Sequence, residues 1–413
     1  MSQIPKRIEV ELSAASPIAS WNYYAELTLP AQEYEVQDAL QRVRAADREQ
    51  EVSVSILECE PFPLLADAEL DSPSIHELNF LAKRMAGLSD DEQTVFGAVV
   101  NSLISASRAY GPVHIRDIIN STYGLTGVPV LPGITNLEEL GRFAVENGLI
   151  DDIRDIPEDA VRYLHTQQIG RIQQKNDGGV FWSGSYVAAG HYQRREVYNG
   201  KQLPQEDKQS SPYVFRARIS QSKTDDPQAE QYWIDLPLSD GQFQEMSRYA
   251  DGGIEDFYCH AVLSSIPQLN GRLQVESTDL YGLNETAKLL RDIPPSDQVK
   301  LKAVFTVEPP KTLNGVAAAV LRLGEYELST APDSEEQFFK EYLQRHLDDK
   351  MDRAWLDVVS AGWDSRLLMK KLGATLTPYG VISARGHSLY EFVPYEDVMT
   401  EEAETPQMCG PQL

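Results

Sequence analysis

The amino-acid sequence contains the same pattern of segments twice, and this duplication limits the possible folds more than any other feature. Residues 78–100 align without a gap on residues 283–305. The pairs that share a residue type are Leu78 with Leu283, Asn79 with Asn284, Ala82 with Ala287, Lys83 with Lys288, Gln93 with Gln298, Ala98 with Ala303 and Val99 with Val304. A chain that repeats such a pattern is predicted to fold as two similar modules.

Both halves of the chain are strongly acidic. Residues 1–200 and residues 201–413 each carry a net charge of −13, which gives the whole chain −26. Solubility of a small domain is served by a net charge of magnitude about 2–8. A field of this sign attracts basic surfaces and repels nucleic acid. The charge therefore suggests a protein that imitates a polyanion.

Composition predicts a globular protein with several domains. A length of 413 residues favours two or more domains, and 42% hydrophobic residues are enough to build cores. The three cysteines show no C-x-x-C spacing, so neither a disulfide framework nor a zinc site is expected. The first residues do not resemble a signal peptide, and the most apolar stretch, residues 315–320, is far shorter than the about 20 residues that span a bilayer. We therefore expect a cytoplasmic protein without membrane association.

The order of predicted elements is the same in both halves. Each half is predicted to open with a small sheet carrying a helix, as the alternation of apolar and acidic residues over 8–12 indicates. Two capping boxes, Ser74 with Glu77 and Ser89 with Glu92, then predict helix starts. The predicted boundaries are 1–200 for module 1 (subdomains of about 1–65, 66–130 and 131–200), 201–211 for a linker, 212–395 for module 2 (subdomains of about 212–268, 269–322 and 323–395) and 396–413 for an acidic tail.

The sequence offers no catalytic signature. Nucleotide-binding glycine loops, the H-E-x-x-H zinc motif and the G-x-S-x-G nucleophile motif are all missing. Cys259 and His260 are neighbours in a predicted strand, so their side chains should point to opposite faces. His191 and His387 recur at matching positions, but two isolated imidazoles are weak support for a metal. Paired carboxylates for glycoside chemistry stay open, because nothing selects a pair. We therefore predict a protein without catalytic residues, metal or cofactor.

The remaining candidates are clustered carboxylates, each of which would stand in for a phosphate when a basic partner binds. A single cluster of this kind is more often a solvated surface or a favourable helix start. The total charge raises the weight of the binding interpretation. The candidate partner-binding acids are Glu58, Glu60, Asp67, Glu69, Asp71, Asp90, Asp91, Glu92, Asp151, Asp152, Asp155, Glu158, Asp159, Asp333, Glu335, Glu336, Asp348, Asp349 and Asp352.

The first half of the chain contains several short motifs in a defined order and spacing: Leu27-x-Leu29-Pro30, Ile75-x-Glu77-Leu78-Asn79-x-Leu81, Leu137-Glu138-Glu139-Leu140-Gly141-Arg142-Phe143, Tyr163-Leu164 leading to Ile169-Gly170-Arg171, and Gly179-Val180-Phe181. In this order and spacing the motifs resemble the antirestriction ArdA family. The resemblance covers most of residues 5–195 and covers residues 212–393 more faintly through the internal repeat.

The resemblance implies an α+β fold arranged as an elongated tandem repeat of ArdA-like modules. Each module would contain a small sheet-plus-helix subdomain, a helical subdomain and a second small α+β subdomain. Family members mimic DNA and occupy the DNA-binding cleft in the methyltransferase core of type I restriction–modification enzymes. The resemblance therefore implies an antirestriction protein that protects incoming mobile-element DNA and does not bind nucleic acid directly.

Two features depart from the family pattern. The chain joins two modules covalently, and it has Gly362-Trp363 where the first copy has Gly170-Arg171. Either a homodimer or an intramolecular pseudo-dimer is compatible with the duplication. The alternative function is an acidic adaptor or scaffold of a mobile element that binds another basic DNA-processing or defence protein. An enzyme with an unrecognised carboxylate site is the third possibility.

Overall fold

The computed structural model describes residues 7–15, 22–60, 62–150, 164–204, 213–221, 229–249, 257–332, 334–346 and 361–384. Within these ranges the protein is a mixed α and β structure, as the sequence predicts. Its strands form small antiparallel sheets of three strands each. Long helices separate these sheets along the chain.

The first sheet contains β1 (Arg7–Ala15), β2 (Asn22–Leu29) and β3 (Val52–Glu60), in the order β2-β1-β3. Helix α1 (Glu33–Arg42) lies between β2 and β3 in the sequence. Along β1 the buried residues Ile8, Val10, Leu12 and Ala14 alternate with more accessible ones. This period of two places one face of the strand in the core and leaves the other accessible, as predicted from the sequence.

Three helices follow: α2 (Ile75–Ala86), α3 (Asp90–Tyr110) and α4 (Ile115–Asn120). Both predicted capping boxes are confirmed, because the Ser74 and Ser89 hydroxyls accept hydrogen bonds from the amides of Glu77 and Glu92. The two glutamates accept hydrogen bonds from the amides of Ser74 and Ser89 in return. Each box satisfies two amide groups that have no partner within the helix.

The next sheet is built by β4 (Val130–Pro132), β5 (Val180–Trp182) and β6 (Ser185–Val187), in the order β4-β6-β5. Helices α5 (Leu137–Glu146) and α6 (Thr166–Asp177) precede β5 and pack against each other. Their contact requires glycine, because a Cβ at Gly141 or Gly170 would overlap a backbone carbonyl of the other helix.

The second half of the chain presents the same kinds of element in the same order. Its first sheet contains β7 (Phe215–Ser220), β8 (Gln231–Leu236) and β9 (Tyr258–Ser264), ordered β8-β7-β9. The following elements are α7 (Asp240–Tyr249, before β9), α8 (Leu280–Arg291), α9 (Pro295–Val307), α10 (Leu313–Leu321), β10 (Tyr326–Ser329), α11 (Glu335–His346), α12 (Ala361–Lys371), β11 (Ala374–Thr377) and β12 (Gly380–Ala384). The last sheet has the order β10-β12-β11.

One buried polar contact recurs in both halves. The Asn79 side-chain oxygen accepts a hydrogen bond from the Ala31 amide at 2.8 Å. The Asn284 oxygen accepts one from the Leu238 amide, also at 2.8 Å. Asn79 and Asn284 are paired in the sequence alignment, so the repeated asparagine fastens equivalent loops to equivalent helices.

The chain divides into two compact units. Unit 1 comprises residues 1–14, 24–36 and 48–207, and unit 2 comprises residues 15–23, 37–47 and 208–413. Unit 2 therefore includes two segments from the first half of the chain. The module boundaries derived from the sequence stay predictions. In the part of the chain that the structure describes, no helix combines the length and apolar character needed to cross a membrane.

Candidate partner-binding surface

The accessible face of the first sheet carries a group of carboxylates, which we name the acidic sheet face. It is formed by Glu9 and Glu11 on β1, Glu26 on β2, and Glu58 and Glu60 on β3. The inward side chains of β1 are buried, so the packed face of the sheet holds these acids in place. Two of the predicted partner-binding acids, Glu58 and Glu60, belong to this face.

The acidic sheet face places like charges directly opposite each other. Glu9 and Glu58 are register partners on neighbouring strands, a position in which β-carbons lie about 5 Å apart. Like charges in this arrangement destabilise a sheet. Arg7 relieves only part of the repulsion, with its Nε 3.6 Å from Glu9 and 3.8 Å from Glu60. The fold thus maintains an excess of negative charge on this face although stability alone would favour a neutral pair.

A second group of predicted acids lies beside the segment that leads into α4. The backbone of residues 69–71 runs alongside Val113, whose amide donates to the Glu69 carbonyl at 2.9 Å. Glu69 and Asp71 are exposed, and Asp71 pairs with the His114 ring nitrogen at 2.7 Å. Asp67 is also exposed, but it lies in a bend before this segment.

The acids at the start of α3 have different environments. Asp90 and Asp91 are exposed to solvent in the first turn of the helix. Glu92 accepts hydrogen bonds from the Ser89 amide at 3.1 Å and from the Thr126 hydroxyl at 3.1 Å. The bond from the Ser89 amide is the main cause of the lowered pKa of Glu92. Glu92 is therefore ionised near neutral pH and serves as part of the helix cap.

The remaining predicted acids belong to the later part of each half. Glu335 and Glu336 lie in the first turn of α11, and the Arg366 Nε is 3.9 Å from Glu335. The other predicted acids lie outside the described residues: Asp151, Asp152, Asp155, Glu158, Asp159, Asp333, Asp348, Asp349 and Asp352. The structure therefore distributes the described candidates over several elements of both units and does not gather them into one cavity.

The equivalent sheet of unit 2 has a different accessible face, which sequence reasoning missed. Arg216 and Arg218 occupy the positions of Glu9 and Glu11, counted back from the corresponding Ser220 and Ser13. Arg218 lies opposite Trp233 in the register, with its guanidinium carbon 5.8 Å from the centre of the Trp233 ring. The sequence does contain this difference, because aligning β1 with β7 residue by residue places the two arginines opposite the two glutamates. We name Arg216, Arg218, Trp233 and Leu263 the arginine–tryptophan face.

Unit 2 also contains a buried group of charged and polar side chains that the sequence did not reveal. The Asp38 carboxylate lies 2.9 Å from the Lys302 Nζ, and these side chains are only 6% and 8% exposed. The Tyr379 hydroxyl donates to the same Asp38 oxygen at 2.7 Å, and Lys302 donates to the Gln41 side-chain oxygen at 2.7 Å. Burial and the Asp38 charge raise the pKa of Tyr379. The Arg42 Nε adds a second cation, 3.2 Å from Asp38.

The cysteines of the described residues are poor nucleophiles. Burial raises the pKa of Cys59 to about 12 and that of Cys259 to about 11, so both thiols stay protonated near neutral pH. Cys259 packs against the core, whereas the His260 ring contacts the Ser220 hydroxyl at 2.8 Å. Among the described residues no group of three or more His, Cys, Asp or Glu side chains is placed to hold a metal ion.

Unit 1 contains an open cleft of about 710 Å³ between the end of α2 and the turn after α4. Arg84 is fixed in this cleft by the Thr122 carbonyl oxygen at 3.2 Å and by the Tyr123 ring, whose centre is 4.2 Å away. Among the described residues that line the cleft, Glu92 is the one carboxylate, and it is held in the helix cap.

No protein-family model matches the sequence, and no curated protein matches it significantly.

Proposed function

We propose that this protein is an antirestriction DNA mimic that occupies the DNA-binding cleft of a type I restriction–modification enzyme. The observation that carries the proposal is the acidic sheet face, where β1 and β3 carry four carboxylates. Glu9 and Glu58 lie directly opposite each other, and Arg7 contacts only Glu9 and Glu60 of the four. Each carboxylate takes the place of a phosphate and meets a lysine or arginine that normally contacts DNA.

The proposal assigns the binding energy to many dispersed contacts. Phosphate contacts supply most of the nonspecific affinity of proteins for DNA. A folded surface that presents carboxylates at fixed spacing competes for the same cations. The described candidate acids lie on the first sheet, on the segment of residues 69–71 that pairs with Val113, and in the first turns of α3 and α11. Different parts of the fold therefore hold them in place. The protein thus acts in the cytoplasm by binding, without a cofactor or a catalytic residue.

The resemblance of the sequence motifs to the ArdA family supports the choice of target. In this proposal each half of the chain is one ArdA-like module, and the tandem arrangement replaces a pair of separate modules. The recurrence of strand order and of the Asn79 and Asn284 contacts is consistent with this duplication. Protection of incoming mobile-element DNA follows if the enzyme's cleft is filled before that DNA is recognised.

The test is protection of unmodified phage DNA in restricting cells that express this protein. We expect plating efficiency to rise with the wild-type chain and to fall towards the unprotected level with the triple variant Glu9→Gln, Glu11→Gln and Glu58→Gln. The matched control neutralises three exposed acids elsewhere, Glu146, Glu245 and Glu276. Equal loss with both triple variants would assign the effect to net charge alone, and no protection by the folded wild-type chain would refute the proposal.

A biochemical competition separates mimicry from adaptor function. A purified type I enzyme bound to labelled duplex DNA should release the DNA as this protein is added. The protein itself should not bind the duplex, because both carry negative charge. Binding to the enzyme that leaves the DNA in place would favour an adaptor.

A further inference from the structure

The two equivalent sheets present accessible faces of opposite character. The face in unit 1 carries Glu9 and Glu11, whereas the face in unit 2 carries Arg216 and Arg218 at the corresponding positions. Counted back from the corresponding Pro30 and Pro237, Glu26 in the first sheet is replaced by Trp233 in the second. The duplication has therefore kept the scaffold and exchanged the chemistry of the exposed face.

The arginine–tryptophan face has the composition of a protein-binding surface. Trp233 is 48% exposed and Leu263 is 41% exposed, although both are large hydrophobic side chains. Tryptophan and arginine are enriched among the residues that dominate protein–protein binding energy. Asp235 partly neutralises the face by a two-point contact with Arg216. Arg218 supplies the remaining positive charge, which is exposed beside the Trp233 ring.

The spacing of the charges on the two faces is the same. Glu9 and Glu11 are alternate residues of the central strand β1, and Arg216 and Arg218 are alternate residues of the central strand β7. Alternate residues of a strand are about 6.7 Å apart on one face. Two sheets stacked with their central strands aligned would thus bring the two glutamates next to the two arginines, where Arg218 supplies the positive charge that Asp235 does not neutralise. Tyr24 on β2, which is 60% exposed, adds a large aromatic side chain to the accessible face of the first sheet.

We propose that the arginine–tryptophan face of one molecule docks on the acidic sheet face of a second copy of this chain. The contact is heterologous, because it joins two different surfaces, and an open assembly keeps one free face of each kind, at its two ends. Contacts of this type build open chains or closed rings. Docking also covers Glu9, Glu11 and Glu58, so an assembled molecule presents fewer carboxylates to other partners.

The net charge of −26 gives this self-association an unusual salt dependence. The repulsion between two whole molecules acts over long distances, whereas the facing arginine and glutamate groups are in contact. The screening length falls from about 30 Å at 0.01 M ionic strength to about 8 Å at 0.15 M. Adding salt in this range removes the long-range repulsion before it weakens the contacts. We therefore expect stronger association at 0.15 M than at 0.01 M.

Two complementary variants test the proposal by sedimentation velocity. The first, Arg218→Ala with Trp233→Ala, removes the arginine–tryptophan face and retains the acidic one. The second, Glu9→Gln with Glu11→Gln, removes the acidic sheet face and retains the other. The wild-type chain should form species larger than a dimer with rising concentration, and each variant alone should stay monomeric. An equimolar mixture should form dimers and nothing larger, because only one pair of intact faces is left.

Control variants keep the charge changes equal. Arg171→Ala removes one exposed positive charge from unit 1, and Glu245→Gln with Glu276→Gln removes two exposed negative charges from unit 2. Both controls should associate like the wild type. The single variant Arg218→Glu, with circular dichroism as a check of folding, replaces the double variant if loss of Trp233 disturbs the sheet.

Three results would overturn the proposal. The wild-type chain could stay monomeric up to about 1 mM, the limit of a useful protein contact. The mixture of complementary variants could fail to form dimers while the wild type associates, which would place the contact elsewhere. A monomeric wild type that binds a labelled oligothymidylate through Arg218 and Trp233 would assign the face to single-stranded nucleic acid instead.

Discussion

The contact between Asp38 and Lys302 shows how a single pair of residues ties distant parts of the chain together. Both side chains are almost fully buried, and both have further polar partners in unit 2. Burying two charges is favourable only when good geometry and additional hydrogen bonds compensate for lost hydration. The Tyr379 hydroxyl and the Gln41 amide provide those bonds. Residues 37–47 are therefore a structural part of unit 2.

We predict that Asp38→Ala is strongly destabilising. The substitution leaves the Lys302 ammonium buried without its carboxylate, a change that typically costs about 3–5 kcal/mol. Urea unfolding measures the loss. Replacing both partners with apolar residues, Asp38→Leu with Lys302→Met, should restore part of the stability, because the buried Lys302 charge is removed together with its carboxylate. The Arg42 side chain also loses Asp38 but is 26% exposed, so its charge keeps contact with water. Glu138→Gln is the control, since its exposed pair with Arg142 contributes about 1 kcal/mol or less. A similar small loss for Asp38→Ala would contradict the prediction.

The paired asparagines allow a second comparison, in which each half of the chain serves as the control for the other. Asn79 makes two hydrogen bonds with the buried Ala31 backbone, one as acceptor and one as donor at 2.9 Å. Asn284 accepts from the Leu238 amide, but its Nδ2 is buried without a hydrogen-bond partner in the described residues. Each buried polar group left unsatisfied costs about 1–3 kcal/mol. Asn79→Ala should therefore destabilise the protein more than Asn284→Ala, as measured by urea unfolding; the opposite order would be unexpected.

The start of a helix and the buried face of a strand can be predicted from residues that are close in the sequence. The capping boxes before α2 and α3 form as the sequence predicts, because their hydrogen bonds join residues only three positions apart. The strand β1 also follows its sequence pattern, because its alternating residues must separate core from solvent. These rules use neighbours along the chain, so no knowledge of the tertiary structure is needed to apply them.

The cap at Glu92 predicts a pH dependence of stability. The folded-state pKa of Glu92 is lowered, so ionised Glu92 stabilises the fold above its ordinary pKa of 4.5. That contribution is lost as the pH falls below 4.5 and through the lowered folded-state pKa. We expect Glu92→Gln to lower the urea midpoint at pH 7, and the difference from wild type to shrink in strong acid. Asp91→Asn, which leaves the cap intact, is the control. A difference that is constant with pH would contradict the assigned role.

The distribution of charge over the molecule predicts a graded loss of function under the proposed mimicry. A catalytic site loses most of its activity with one substitution, whereas exposed charges contribute about 1 kcal/mol or less each. Neutralising Glu58 alone should be nearly silent in the phage test. Neutralising Glu58 with Glu9, and then both with Glu11 and Glu60, should lower protection in steps. The cluster Asp151, Asp152, Asp155, Glu158 and Asp159 is predicted to behave in the same way. Total loss from one substitution that preserves the fold would point to a discrete site.

Inhibition of the enzyme should also weaken as salt rises. The attraction between exposed charges is screened beyond about 8–10 Å at physiological ionic strength. Titrating DNA competition at several salt concentrations measures this effect. An inhibition constant that does not change with salt would indicate an apolar contact, for which the arginine–tryptophan face is the first region to test.

The fold class could be predicted from the sequence because periodicity, capping residues and the repeated pattern are local or directly countable. The acidic character could be predicted for the same reason. The face on which each acid lies required the strand register: Glu9 and Glu58 are far apart in the sequence and become neighbours only when β1 pairs with β3. The acids outside the described residues stay predictions.

The tertiary structure alone decided which distant residues meet. Tyr379 and Asp38 are separated by 341 positions, and neither belongs to a motif that indicates a partner. Their contact depends on how whole elements pack, so its energy has no local sequence signal. The difference between the acidic sheet face and the arginine–tryptophan face depends on both the sequence and the tertiary structure. The residue types can be read from the sequence, but only the strand register shows that Arg218 and Trp233 share an exposed surface. The pairing of strands creates that surface, because side chains alternate between the two faces along each strand and residues directly opposite on neighbouring strands point to the same face.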